Sequence, residues 1–191
     1  MVSVDGLALA RWLAFRRAAS LQETMMNQSF VFTPIGVVRS PFTAAAGTPI
    51  QPGGARPVPG EVVVDGAYAE GLSDLDGFSH ILLLYVFHRA GPARLRVVPF
   101  LDTVPRGVFA TRAPCRPNPI GLSLVRLVGR AGCVLAIEGV DMLDGTPVLD
   151  IKPFIPSLEP PGAVRLGWLD GKADAMAAGL ADARFDGGNS A

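Results

Sequence analysis

Three prolines fall within six positions in the segment ATRAPCRPNPIGLSL, and Arg112, Arg116 and Asn118 sit among them. Proline fixes φ, so Pro114, Pro117 and Pro119 stiffen the loop and leave little ordering entropy to lose. Planar guanidinium groups on a rigid frame suit bidentate recognition of carboxylates or phosphates. A second group is Gln51, Pro52 and Gly53, within a Pro/Gly-rich loop at residues 44–60. Loops of that length in compact domains are functional or disordered. A third is FSHILLLYVFH, where His80 and His88 lie eight residues apart. On a strand, even spacing puts both on one face, and imidazole is the side chain that changes charge near neutral pH. The fourth is DMLDGTPVLDIKPF, where Asp144-Gly145 signals a turn and Asp141, Asp144, Asp150 and Lys152 form a charged edge. Each also has an ordinary structural reading: a strand connection with surface arginines, rim histidines, a hairpin.

The elements that must position these groups read as β. Short apolar or β-branched runs occur at residues 30–42, 60–64, 80–88, 94–101, 107–112, 120–130, 133–143 and 147–155. Gly and Pro punctuate them. Seven or eight short strands predict a mainly all-β fold, a compact antiparallel barrel or sandwich with short flanking helices. Helical character is confined to residues 68–75, the Ala-rich tail at 172–183, and an amphipathic stretch near the N-terminus. Residues 1–28 read as a helical or disordered extension, 29–160 as the barrel, and 161–191 as a tail with a short helix.

The 191 residues carry 17 Lys and Arg against 17 Asp and Glu, and 49% are apolar. That fraction fills a core and excludes wholesale disorder. No apolar run approaches the ~20 residues of a membrane-spanning helix. Two cysteines without a CxxC pair and two histidines make no zinc set, so no metal is expected. Two isolated thiols fit a cytoplasmic location. The Gly-rich dinucleotide turn, the phosphate loop, HExxH and GxSxG are all missing, so any chemistry sits on a less common scaffold.

The segments IGVVRSPF, QPG, GFSHILLLYVFH, GVFATRAPCRPNPIGLSLV and DMLDGTPVLDIKPFIP occur in one order and spacing that closely resembles the TrmO/TsaA-like family. The resemblance spans residues 30–156. It implies a β-barrel that binds S-adenosyl-L-methionine without a Rossmann sheet, and a homodimer. It also implies N6-methylation of threonylcarbamoyladenosine at position 37, with the tRNA anticodon loop as partner. Carried over residue by residue, the cofactor contacts implied are Gln51, Pro52, Gly53, Phe87, His88, Arg112, Leu122, Asp144, Gly145, Thr146 and Pro147. His88, His80, Arg116 and Asn118 are the candidate catalytic groups. Methylation of another RNA or a small molecule, and a non-enzymatic cofactor-binding module, remain alternative readings.

Zero net charge argues against bulk coating of nucleic acid. Locally the balance differs. Between Gly77 and Ile137 eight arginines face one acid, Asp102, for a net +7. A focused grip on one RNA loop is compatible with that distribution.

Overall fold

The computed structural model describes residues 28–51, 58–156, 166–172, 175 and 179–187. The chain divides into two compact units, residues 1–32 and 33–191. The expected N-terminal helix, Pro52 and Gly53, and most of the expected tail helix lie outside the described residues.

Eight strands form, seven on the apolar runs and one, of two residues, that meets the 107–112 run only at Gly107. They are β1 (Gly36–Arg39), β2 (Pro59–Val64), β3 (His80–Val86), β4 (Arg96–Val97), β5 (Arg106–Gly107), β6 (Ile120–Ala131), β7 (Val134–Glu138) and β8 (Pro147–Pro153). Six of them close an antiparallel barrel in the order β1-β2-β7-β6-β3-β8, while β4 and β5 pair separately. The barrel therefore has six strands, fewer than the seven or eight expected.

Alternation explains which residues fill it. In β3 the burial alternates residue by residue, with Ile81, Leu83 and Tyr85 pointing inward. Val125 and Leu127 from β6, Leu135 and Ile137 from β7, Val38, Val62 and Val148 complete the core. A smaller core gathers Val97, Val108, Ala113, Cys115 and Phe185, with Phe100 against it. Cys115 and Cys133 are both free thiols.

Several apolar runs are trimmed for identifiable reasons. The 107–112 run is mostly not a strand: after β5 it becomes a 3-10 turn, Val108–Ala110, with Thr111 N–H and Oγ1 both bonding the Val108 carbonyl. β7 stops at Glu138 because Gly139 takes φ 87° and turns the chain. The helix expected at 68–75 is two 3-10 turns, Gly66–Leu72 and Leu75–Gly77. Asp65 caps the first, and Asp74 at φ 64° separates them.

The barrel closes through a short seam. β1 pairs with β8 only at Gly36↔Val148 and Val37↔Pro147. Beyond that pair the DGTP turn continues the contact. Val38 N–H donates to the Thr146 carbonyl at 2.9 Å, Gly145 N–H to Val38 at 2.9 Å, and Asp144 N–H to Phe42 at 2.7 Å. Ser40 N–H donates to Asp144 Oδ1 at 3.1 Å, and Ser40 Oγ to the Met142 carbonyl at 2.7 Å. Gly145 makes the turn at φ 74°.

β3 and β6 share the longest register, from His80↔Arg126 to Val86↔Ile120. At Tyr85↔Gly121 the tyrosine ring lies directly over the glycine. A Cβ at residue 121 would sit 2.2 Å from a ring carbon. Gly121→Ala is therefore expected to destabilise the fold by about 1–3 kcal/mol through overpacking, read as a lower urea midpoint at unchanged slope. An unchanged midpoint would contradict the packing described.

Candidate functional site

The C-terminal end of β3, the start of β6 and the turn before β8 meet at one end of the barrel, as their registers require. There a cleft of about 710 Å³ opens. Its floor carries Tyr85, Gly121 and Asp141, and its walls carry Phe87, His88, Arg112, Leu122 and Thr146. The opposite side comes from residues 45–51, the rim at 99–101 and 109–116, and the tail.

The tail is laced into place. Gly47 N–H donates to the Ala181 carbonyl at 2.8 Å, Ala181 N–H to Thr48 at 2.7 Å, and Gly187 N–H to Arg89 at 2.8 Å. Phe185 is buried beside Phe100 and Cys115. Asp182 and Asp186 from this tail face the cleft and are held by cations. Arg184 Nε contacts both Asp182 oxygens at 2.9 Å, and Arg89 approaches Asp186 at 4.0 Å.

The structure brings most of the expected ligand residues together. Arg112 Nη1 donates to Gln51 Oε1 at 2.5 Å across 61 residues of sequence. Arg116, half-buried on the same wall, donates to the carbonyls of Thr111 and Ala113 at 3.1 and 3.3 Å, bracing the loop. His88 Nδ1 lies 3.4 Å from Thr146 Oγ1. Burial, and secondarily the Arg89 charge, hold the His88 imidazole below its ordinary pKa.

Other expected residues stand elsewhere. Asp144 and Gly145 are exposed at the barrel seam and, with Pro147, are not part of the cleft lining. Asn118 is exposed beyond the rim. His80 bonds Ser79 Oγ at 3.0 Å and packs edge-on to Phe154, away from the cleft. The eight-residue spacing does not put His80 and His88 on one face, because β3 ends at Val86 and the chain turns at His88.

Tyr85 and Asp141 on the cleft lining are joined through the buried Ser123 into a hydrogen-bonded chain. Tyr85 Oη is 3.1 Å from Ser123 Oγ, and Ser123 donates to Asp141 Oδ1 at 2.7 Å. Ser123 has one hydroxyl hydrogen, so Tyr85 donates to Ser123 in turn. Burial, then the Asp141 charge, push the Tyr85 phenol up, so it stays protonated. Burial also pushes the Asp141 carboxyl up to about 6, against the opposing pull of Ser123 and Arg112. Tyr85 and Ser123 were legible only as polar atoms on inward positions of otherwise apolar strands.

At the mouth, Phe109 is 75% exposed. Nearby, Trp168 Nε1 donates to the Ala110 carbonyl at 2.6 Å, and Arg106 and Lys172 lie 5.7 and 5.8 Å from its ring. Asp102 tethers both cations, at 2.7 and 3.4 Å. The Arg106 hydrogen bonds hold the Asp102 carboxyl down at about 2. Of the eight arginines in the basic window, Arg89, Arg106, Arg126 and Arg130 are ion-paired. Among the described residues Arg94, Arg96, Arg112 and Arg116 pair with no carboxylate, and the last two line the cleft.

No helix among the described residues is long and apolar enough to cross a membrane. No group of three or more potential metal-ligating side chains occurs among them either.

Comparison with known proteins places this architecture. The family model described as tRNA-methyltransferase O N-terminal domain matches residues 37–159. A probable S-adenosyl-L-methionine-binding protein of Pyrococcus abyssi is 48% identical over 154 residues, covering 81% of this chain and 84% of that protein. The Escherichia coli tRNA (adenine(37)-N6)-methyltransferase is 41% identical over 141 residues, covering 69% of this chain and 60% of the enzyme. The crystal structure of TrmO from Pseudomonas aeruginosa superposes with TM-score 0.64 at 40% identity, covering 75% of this chain and 64% of that one. The chain thus spans under two thirds of the E. coli enzyme and of the solved TrmO chain. With the barrel, the cleft and the matched segment in agreement, the chain belongs to the family of the tRNA-methyltransferase O N-terminal domain.

Proposed function

We propose that this protein is an S-adenosyl-L-methionine-dependent methyltransferase that acts on N6 of threonylcarbamoyladenosine at position 37 of tRNA, in the cytoplasm. The observation that carries the reading is the convergence of Gln51, Phe87, His88, Arg112, Leu122 and Thr146 on one cleft, in a chain 41% identical to a tRNA (adenine(37)-N6)-methyltransferase.

The cleft fits such a cofactor. Its volume, about 710 Å³, lies in the range of small-molecule sites. The cofactor supplies an electrophilic methyl group on a sulfonium. Arg112, pre-oriented by Gln51, offers a guanidinium fork to the amino-acid carboxylate. Phe87 and Leu122 give apolar walls for the adenine ring. The resemblance adds Pro52 and Gly53, which follow Gln51 in the sequence, to the proposed cofactor contacts. Asp144 and Gly145 bond Phe42 and Val38 across the seam and Pro147 pairs with Val37, which holds the turn that carries Thr146. Arg116 suits the carboxylate of the threonyl group on the acceptor. Phe109, exposed at the mouth, offers an aromatic face to a neighbouring base. In-line positioning of this kind contributes up to ~7–11 kcal/mol to such a reaction.

The outer face of β6 adds a reason to propose a homodimer. Ile120, Leu122 and Val128 are exposed there, as is Val37 on β1. Ile120 and Leu122 also line the cleft, so a second copy seated on this face would border the site. Light scattering is expected to return twice the 20.0 kDa chain mass; a monomer at all concentrations would contradict the dimer.

Incubation with methyl-labelled cofactor and threonylcarbamoyl-modified tRNA, followed by digestion to nucleosides, is expected to place the label on that nucleoside. Label on another nucleoside, or none, overturns the reading. Arg112→Ala is expected to weaken cofactor binding at least about tenfold by calorimetry, the loss of a charged hydrogen bond. Arg116→Ala is expected to reduce turnover on modified tRNA by more than it weakens that affinity. Wild-type cofactor affinity in the first variant, or wild-type turnover in the second, would refute the respective role.

A further inference from the structure

Three carboxylates line the cleft: Asp141, Asp182 and Asp186. Two are committed to cations, Asp182 to Arg184 and Asp186 to Arg89. Among the described residues Asp141 forms no ion pair. Its Oδ1 accepts from Ser123, which accepts from Tyr85. Both partners are fixed in the barrel, Tyr85 at 4% and Ser123 at 1% exposure. Gly121 gives the tyrosine ring the room it needs. The result is a carboxylate held rigidly on the cleft floor, with Oδ2 uncommitted to any of these partners.

We propose that Asp141 is the proton acceptor of the methyl transfer, and that Ser123 and Tyr85 are positioning residues that orient it. This rests on the function proposed above. The acceptor nitrogen's lone pair forms the N–C bond to the methyl group, and the C–S bonding pair passes to sulfur, leaving it neutral. The nitrogen bears one hydrogen, which becomes acidic as the new bond forms. That proton goes to Asp141 and then to solvent. A base works best when its pKa lies near the operating pH, and burial places Asp141 there.

Arg112 faces Asp141 and lowers its pKa, while Tyr85 is a neutral donor. Arg89, Arg116, His88, Asp182 and Asp186 share the cleft. Because the Asp141 carboxyl is raised to about 6, the basic form is lost as pH falls through that value. Activity is therefore expected to rise with pH through an acid limb near 6. Ser123 stabilises the charged carboxylate, so its removal moves the titration upward.

The test uses the full chain with labelled cofactor and threonylcarbamoyl-modified tRNA. Asp141→Asn is expected to keep its cofactor dissociation constant within about threefold of wild type and to lose about 100-fold or more in kcat, without the acid limb. Ser123→Ala is expected to move that limb to higher pH by roughly one pH unit, the worth of one such hydrogen bond. Carbon-13 NMR of the Asp141 carboxyl, recorded without tRNA, is expected to show the same upward displacement. A cofactor affinity that falls in step with kcat in Asp141→Asn makes Asp141 a binding residue and overturns the proposal. So does an unchanged acid limb in Ser123→Ala. An inactive wild type overturns the function and the inference together, whereas an active wild type matched by Asp141→Asn overturns the inference alone.

Discussion

Barrel closure depends on a seam that strand pairing alone barely makes. Two residue pairs join β1 to β8. The remainder of the seam is the DGTP turn, whose backbone continues the hydrogen bonding along Val38, Ser40 and Phe42. Open barrel edges expose unpaired backbone groups, which are costly when buried and prone to mispairing when not. Sealing this edge with a turn has a second effect. It fixes Asp141, Met142 and Thr146 at the barrel end, on the side where β3 ends and β6 begins.

The cleft therefore inherits its rigidity from the barrel on one side only. Tyr85 and Ser123 lie at inward positions of β3 and β6 and cannot swing without disturbing the core. The opposite side is assembled from loops that are tied by backbone bonds to the tail and by Arg112 to Gln51. A rigid floor and a more locally tethered wall suit a site that must hold one ligand and admit a second. The charge arrangement agrees with this division. Arg106, Arg126 and Arg130 are paired with carboxylates outside the cleft lining and Arg89 with Asp186 on it, while among the described residues Arg112 and Arg116 on the cleft wall pair with no carboxylate.

Much of this was legible in the sequence. Seven of the eight apolar runs hold a strand, because alternation of apolar positions with Gly and Pro breaks carries direct information on strands. The closure order and the six-strand count were not legible, since they depend on pairings between distant segments. The GVFATR run misled because β-branched and aromatic residues there serve the small core around Val108 and Phe185, packed from a 3-10 turn. At the site, Arg112 and Gln51 stand out by residue type and loop setting, the resemblance implies their role as cofactor contacts, and the structure makes them neighbours. The polar chain from Tyr85 to Asp141 escaped notice because its members are 38 and 18 residues apart. The His80 and His88 spacing does not carry a shared face, because β3 ends at Val86.

The central claim is that the methyl donor occupies the cleft between Arg112 and the barrel end. A crystal structure of the protein with S-adenosylhomocysteine tests it most directly. The expected result is density for the product in that cleft, its carboxylate on Arg112 and its sulfur facing Asp141. Density elsewhere on the protein, with Arg112 still bonded only to Gln51, would contradict it.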